Sequence, residues 1–89
     1  MAANPHIRTI AAEKSVWKSL ADQPLVLRAQ VRVWTATTTT EYLSIRVAGS
    51  SDVAQLPKNV DFVLDGVDLS QIEIQGNESY RVTIIGYSR

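Results

Sequence analysis

Between Leu25 and Trp34 apolar and polar side chains alternate: Leu25, Leu27, Ala29, Val31 and Val33 share one side, and Arg28, Gln30, Arg32 and Trp34 share the other. A period of two is the signature of a half-buried strand, because successive side chains leave an extended backbone on opposite faces. The stretch from Glu41 to Ala48 behaves alike, with Leu43, Ile45 and Val47 on the apolar side and Tyr42, Ser44 and Arg46 on the polar side. The intervening threonines, Thr37 to Thr40, include no glycine, asparagine or proline, so a two-residue primed turn is not expected there. If the two strands form a hairpin that shares one buried face, odd residues oppose odd ones. The matching register sets Trp34 opposite Tyr42 and Arg32 opposite Ser44.

Further along, Val60 to Leu64 reads as a third strand that meets Asp65-Gly66, a hairpin dipeptide, and resumes at Val67. The apolar set then changes phase, from Val67 and Leu69 to Ile72 and Ile74, which predicts a bulge or bend near Ser70 and Gln71. Gly76 and Asn77 mark a last turn before Tyr80, Val82 and Ile84, and the parity rule sets Ile72 against Val82 and Ile74 against Tyr80. Ser51 is placed to cap one helical turn through Leu56. At the other end the first eight residues have no period and are expected to be flexible. Thr9 can cap an amphipathic helix whose apolar positions Val16, Trp17, Leu20 and Ala21 share one face, ending at Gln23-Pro24.

These elements predict a mainly β fold of the α+β kind. It has an N-terminal helix followed by about five antiparallel strands, arranged as a small barrel or a strongly bent sheet, in a single globular domain over residues 9–89. Val31, Val33, Leu43, Ile45, Val82 and Ile84 are its expected core. A helix followed by five strands is similar in element order to Sm-like proteins, small β-barrels that often bind RNA. The glycine-containing strand signature of that family is absent, and no residue takes a role from it.

Composition sharpens this picture in two ways. A chain of 89 residues, 45% hydrophobic and 20% charged, folds as one ordinary domain, yet it buries only about 60 to 65% of its unfolded surface. Its stability margin is then thin, and self-association is an expectation from the outset. Nine basic and nine acidic side chains cancel, so the overall field favours neither nucleic acid nor anionic lipid. The first 46 residues carry a net +3 and the remainder −3, an asymmetry expected to bring the two halves together within the fold. There is no cysteine and no run of 18 apolar residues, which points to an intracellular, cytoplasmic setting without a membrane span.

Catalytic chemistry finds no foothold. A Ser-His-acid arrangement needs a histidine, and the single one, His6, falls in the expected flexible segment. Asp61, Asp65 and Asp68 cluster in sequence but lack the twelfth-position ligand and glycine pattern of a calcium loop. Four scattered glycines assemble no phosphate cradle. No enzyme activity, metal or cofactor is expected.

What remains is the polar side of the expected hairpin, where Arg28, Arg32, Trp34, Tyr42 and Arg46 share one surface. Arginine and aromatic residues are enriched at protein interface hot spots, and they also stack on single-stranded nucleic acid. Packing of Trp34 on Tyr42, or cover by the helix, would need no ligand at all. The expected function is non-enzymatic binding of a protein partner, or self-assembly into a homo-oligomer, through a sheet edge or this basic and aromatic face. The alternative is a single-stranded nucleic-acid-binding barrel.

Overall fold

A computed structural model describes residues 4–88 as eight strands. They are β1 (Asn4–Ala11), β2 (Lys18–Ser19), β3 (Val26–Thr35), β4 (Leu43–Val47), β5 (Val53–Leu56), β6 (Val60–Asp68), β7 (Ile72–Gln75) and β8 (Tyr80–Ser88). Two antiparallel sheets of four strands face each other, one ordered β1-β8-β3-β6 and the other β2-β7-β4-β5. The chain changes sheet at six of its seven connections, and only β4 and β5 are consecutive strands that pair.

Alternation explains what lies between the sheets. On β3, Leu27, Ala29, Val31 and Val33 are all buried. In the register of the first sheet Val33 lies beside Val82, Val31 beside Ile84, and Ala29 beside Gly86. On the other flank of β3, Phe62 and Leu64 sit beside Val31 and Ala29 and pack against the core. The second sheet contributes buried Leu43 and Ile74, with Ile45, Ile72 and Leu56 packed around them. Of the expected core, Val31, Val33, Leu43, Val82 and Ile84 are buried, and Ile45 is half-buried against it. Tyr80 is the largest fully buried side chain, and its hydroxyl donates to the Glu41 carbonyl, fastening the long connection after β3 onto the start of β8. Burial, followed by the nearby Glu41 charge, raises the Tyr80 phenol above its ordinary value.

The mainly β expectation stands, whereas the N-terminal helix and the closed barrel do not. Asn4–Ala11 is a strand paired along its whole length with β8, from Asn4 opposite Ser88 to Ala11 opposite Arg81. The flexible segment expected over residues 1–8 thus falls partly on this strand and partly on residues 1–3, outside the described residues. Strand β1 shows no apolar alternation because it is a sheet edge whose outward residue, Ile7, is 74% exposed while Arg8 lies on the inward parity beside Ile84. Where the helix was expected to continue, the chain turns at residues 13–16, with Ser15 at φ 61, and enters β2. Leu20 and Ala21 are buried, but Val16 is exposed on the far side of that turn, so the helical spacing never acts as one face.

Both hairpins that parity suggested are absent, because β3 and β4 lie in different sheets, as do β7 and β8. Asp65-Gly66 makes no hairpin turn either. Gly66 has φ +74 and is skipped in the register between Leu27↔Val67 and Arg28↔Asp65, which is a bulge in the middle of β6. The expected helical turn after Ser51 is strand β5. The phase change near Ser70 is real, but it is a single 3-10 turn, Leu69–Gln71, that carries the chain from one sheet to the other.

That crossover depends on Asp68. Its carboxylate accepts from the Leu25 and Ser70 backbone amides and from the Ser70 hydroxyl, and these bonds, Leu25 first, hold its pKa below the ordinary carboxylate value. A depressed pKa means that its stabilisation is complete above the unfolded-state value and is lost as pH falls through the folded-state value. Replacing Asp68 by Asn should therefore lower the melting temperature at neutral pH and make it fall less steeply on acidification below pH ~4, measured by thermal melts across pH. A second expected outcome concerns Gly86, where an added Cβ would meet the Arg28 carbonyl oxygen at 2.7 Å and the Ala29 Cα at 3.0 Å. Gly86→Ala should destabilise by about 1 to 3 kcal/mol in denaturant titration, since backbone cannot yield as a side-chain tip can.

Candidate interaction face

The same alternation that buries one side of the first sheet presents the other, and the pairing registers arrange it in four rows. Pro5, Tyr87, Arg28 and Asp65 form the first; Ile7, Ile85, Gln30 and Val63 the second; Thr9, Thr83, Arg32 and Asp61 the third. Ala11, Arg81 and Trp34 form the fourth, with Asn59 just beyond the end of β6. The second row is an apolar band interrupted only by Gln30, in which Ile7, Ile85 and Val63 are 74%, 55% and 54% exposed.

Ion pairs stand on either side of the band. Arg28 Nη1 is 2.8 Å from Asp65 Oδ2, and Arg32 Nε is 3.6 Å from Asp61 Oδ1. The Trp34 indole N–H donates to Thr83 Oγ1 at 2.9 Å, and that hydroxyl lies 3.1 Å from Thr9 Oγ1. This bond holds the indole toward the neighbouring strand, where it borders a shallow depression of about 600 Å³ together with Gln30, Arg32, Asn59 and Asp61. Arg81 donates to the carbonyls of Glu78 and Tyr80, so its guanidinium stays at this end of the sheet.

Of the five residues expected to share a surface, Arg28, Arg32 and Trp34 do so, all on β3. Tyr42 and Arg46 do not join them, because β4 belongs to the opposite sheet. Tyr42 is exposed in the connection ahead of β4. Arg46 is half-buried: its Nε donates to Glu73 Oε1 at 2.9 Å, and its guanidinium lies 4.0 Å over the Trp17 ring. Its guanidinium is thus already engaged by Glu73 and Trp17 on the second sheet, apart from the face that carries Arg28, Arg32 and Trp34. Ile7, Val63, Ile85 and Tyr87 were missed. For Val63 and Ile85 the sequence carries a signal in consecutive apolar residues, Phe62-Val63-Leu64 and Ile84-Ile85, in which one parity has to face outward, whereas Ile7 and Tyr87 stand in no such run.

Among the described residues no group of three or more His, Asp or Glu side chains is arranged to hold a metal ion. No helix among them is long and apolar enough to cross a membrane. The chain matches no protein-family model, no curated protein and no solved structure.

The two arginine environments differ in what they contribute. Arg46→Ala removes a cation–π contact and leaves the half-buried Glu73 carboxylate without its guanidinium, so it should destabilise by about 1 to 3 kcal/mol. Arg32→Ala removes an exposed pair and should change stability by less than ~0.5 kcal/mol in the same denaturant titration.

Proposed function

We propose that this chain is a non-enzymatic protein-binding module whose docking surface is the outer face of the β1-β8-β3-β6 sheet. The observation that carries the reading is the exposed band of Ile7, Ile85 and Val63 running from one edge strand to the other. An antiparallel sheet with one solvated side ordinarily alternates to polar residues there, and contiguous exposed apolar rows rimmed by polar groups mark interaction sites. Trp34, Tyr87 and the arginines around the band are residue types that anchor protein interfaces.

Two other readings are less well supported. Nucleic-acid binding needs arginines free to neutralise phosphates, but Arg28 and Arg32 each have an aspartate beside them. Recruitment through a sheet edge meets obstacles at each one. Strand β6 carries the Gly66 bulge and three aspartates, β1 contains Pro5, and β2 and β5 are two and four residues long. An intracellular, cytoplasmic setting is part of the proposal and rests on the cysteine-free sequence.

Ile85→Glu puts a charge into the middle of the band without touching the core. It should keep the circular dichroism spectrum of the wild type while abolishing association, whether read by sedimentation or by affinity capture from the source cell's extract. Association unaffected by Ile85→Glu would overturn the proposal, as would oligonucleotide binding by the wild type that weakens steeply as salt rises.

A further inference from the structure

We infer that the partner for this face is a second copy of the same chain, packed face to face about a two-fold axis that runs parallel to the strands between β8 and β3. The inference rests on the docking reading above and names its occupant.

A face that meets its own copy has to be self-complementary, because a two-fold brings each residue against a fixed counterpart and repeats the contact in reverse. Only some placements of the axis satisfy the charges on this one. With the axis parallel to the strands between β8 and β3, β8 faces the partner's β3 and β1 faces the partner's β6. Row by row, Arg28 then meets the other copy's Tyr87, and Arg81 meets its Trp34. Both are arginine–aromatic couples, the arrangement Arg46 and Trp17 already adopt within the chain. In the apolar band Ile7 meets Val63, and in the third row Asp61 meets the Thr9 hydroxyl. No like charges are opposed. An axis at right angles, along the apolar band, sets Arg28 over Arg32 and Asp65 over Asp61, so the charge pattern selects the first axis over the second.

Size agrees with a dimer. Four strands about 4.8 Å apart and roughly eight residues long offer some 500 Å² in projection, so joining two faces removes about 1,000 Å², the lower bound for a specific interface. A two-fold parallel to the strands keeps the mean strand directions of the two sheets aligned, within the range that packed sheets adopt, so each row lies against the same row of the other copy. The two central rows hold the apolar band and the Arg32–Asp61 pair. A small domain with a thin stability margin also gains from covering this surface.

The absence of native cysteine makes the register testable. In one chain Ile7 and Val63 stand three strand spacings apart, about 14 Å, too far for a short bis-thiosulfonate reagent to bridge two cysteines placed there. Across the proposed dimer they face each other. The Ile7→Cys/Val63→Cys variant should yield covalent dimer in dilute solution, neither single variant should do so efficiently, and wild-type sedimentation should approach twice the chain mass as concentration rises. Efficient linking of Ile7→Cys alone would overturn the axis in favour of the perpendicular one. A wild type that stays monomeric at all concentrations, with no linking of the double variant, would overturn the dimer. In that event capture of another protein that Ile85→Glu abolishes would leave the docking face standing, whereas capture insensitive to Ile85→Glu would remove both readings.

Discussion

Strand β8 pairs with β1 on one side and β3 on the other, and the first sheet with the face it presents depends on that double pairing. Without it β1 has no neighbour, and β3 has only β6. It also supplies Tyr80, Val82 and Ile84 to the interior, so the core cannot close before β8 is in place. The close approach of β8 to β3 at Gly86, where a single methyl group has no room, sets how tightly these two strands can run. Contacts of such long sequence separation are made late and slowly, since loop closure costs entropy before packing returns it.

The other sheet is held by shorter means. Strands β2, β5 and β7 are two to four residues long, and polar anchors reinforce them. Arg46 bridges Trp17 and Glu73 on its outer side, and the Lys18 ammonium donates to the Ala11 carbonyl at 2.7 Å, tying β2 back to the end of β1. Asp68 organises the 3-10 crossover by gathering amides from Leu25 and Ser70. Lys18 and Asp68 therefore act at the junctions between sheets, where the backbone leaves one ladder before joining the next and its carbonyls and amides need other partners, whereas Arg46 braces neighbours within the second sheet.

Strand β8 also links the core to the proposed docking face, because its two parities point to opposite sides of the sheet. Ile84 is fully buried while its neighbour Ile85 stands in the open band, and Thr83 beside them receives the Trp34 indole. The outer face is apolar in the middle and electrically compensated on both sides of the band, Arg28 by Asp65 and Arg32 by Asp61. Such a surface has little long-range attraction for phosphates, and on the proposed docking reading it selects partners by shape, apolar area and the sign of each opposed charge.

By itself the sequence determined which way side chains point. Alternation is a consequence of extended backbone geometry, so the inward set on β3 and the burial of Val82, Ile84 and Leu43 could be read directly. It also determined where the backbone needs special conformations: Gly66 had to take a positive φ, and the phase break near Ser70 had to interrupt a strand. Only the tertiary structure decided what those signals were for. The same left-handed glycine serves a hairpin turn or a bulge, and a phase break serves a bend or a crossing to another sheet; local sterics are identical in both cases. Pairing was decided at long range as well. Parity constrains the register of two strands once they are neighbours, but says nothing about whether they are. Because this chain changes sheet at nearly every connection, β3 and β4 parted, and Tyr42 and Arg46 left the face on which Arg28, Arg32 and Trp34 remain. The N-terminal strand was hidden for a related reason: an edge strand buries too little to impose a pattern on its own sequence, and only its pairing with β8 makes it a strand.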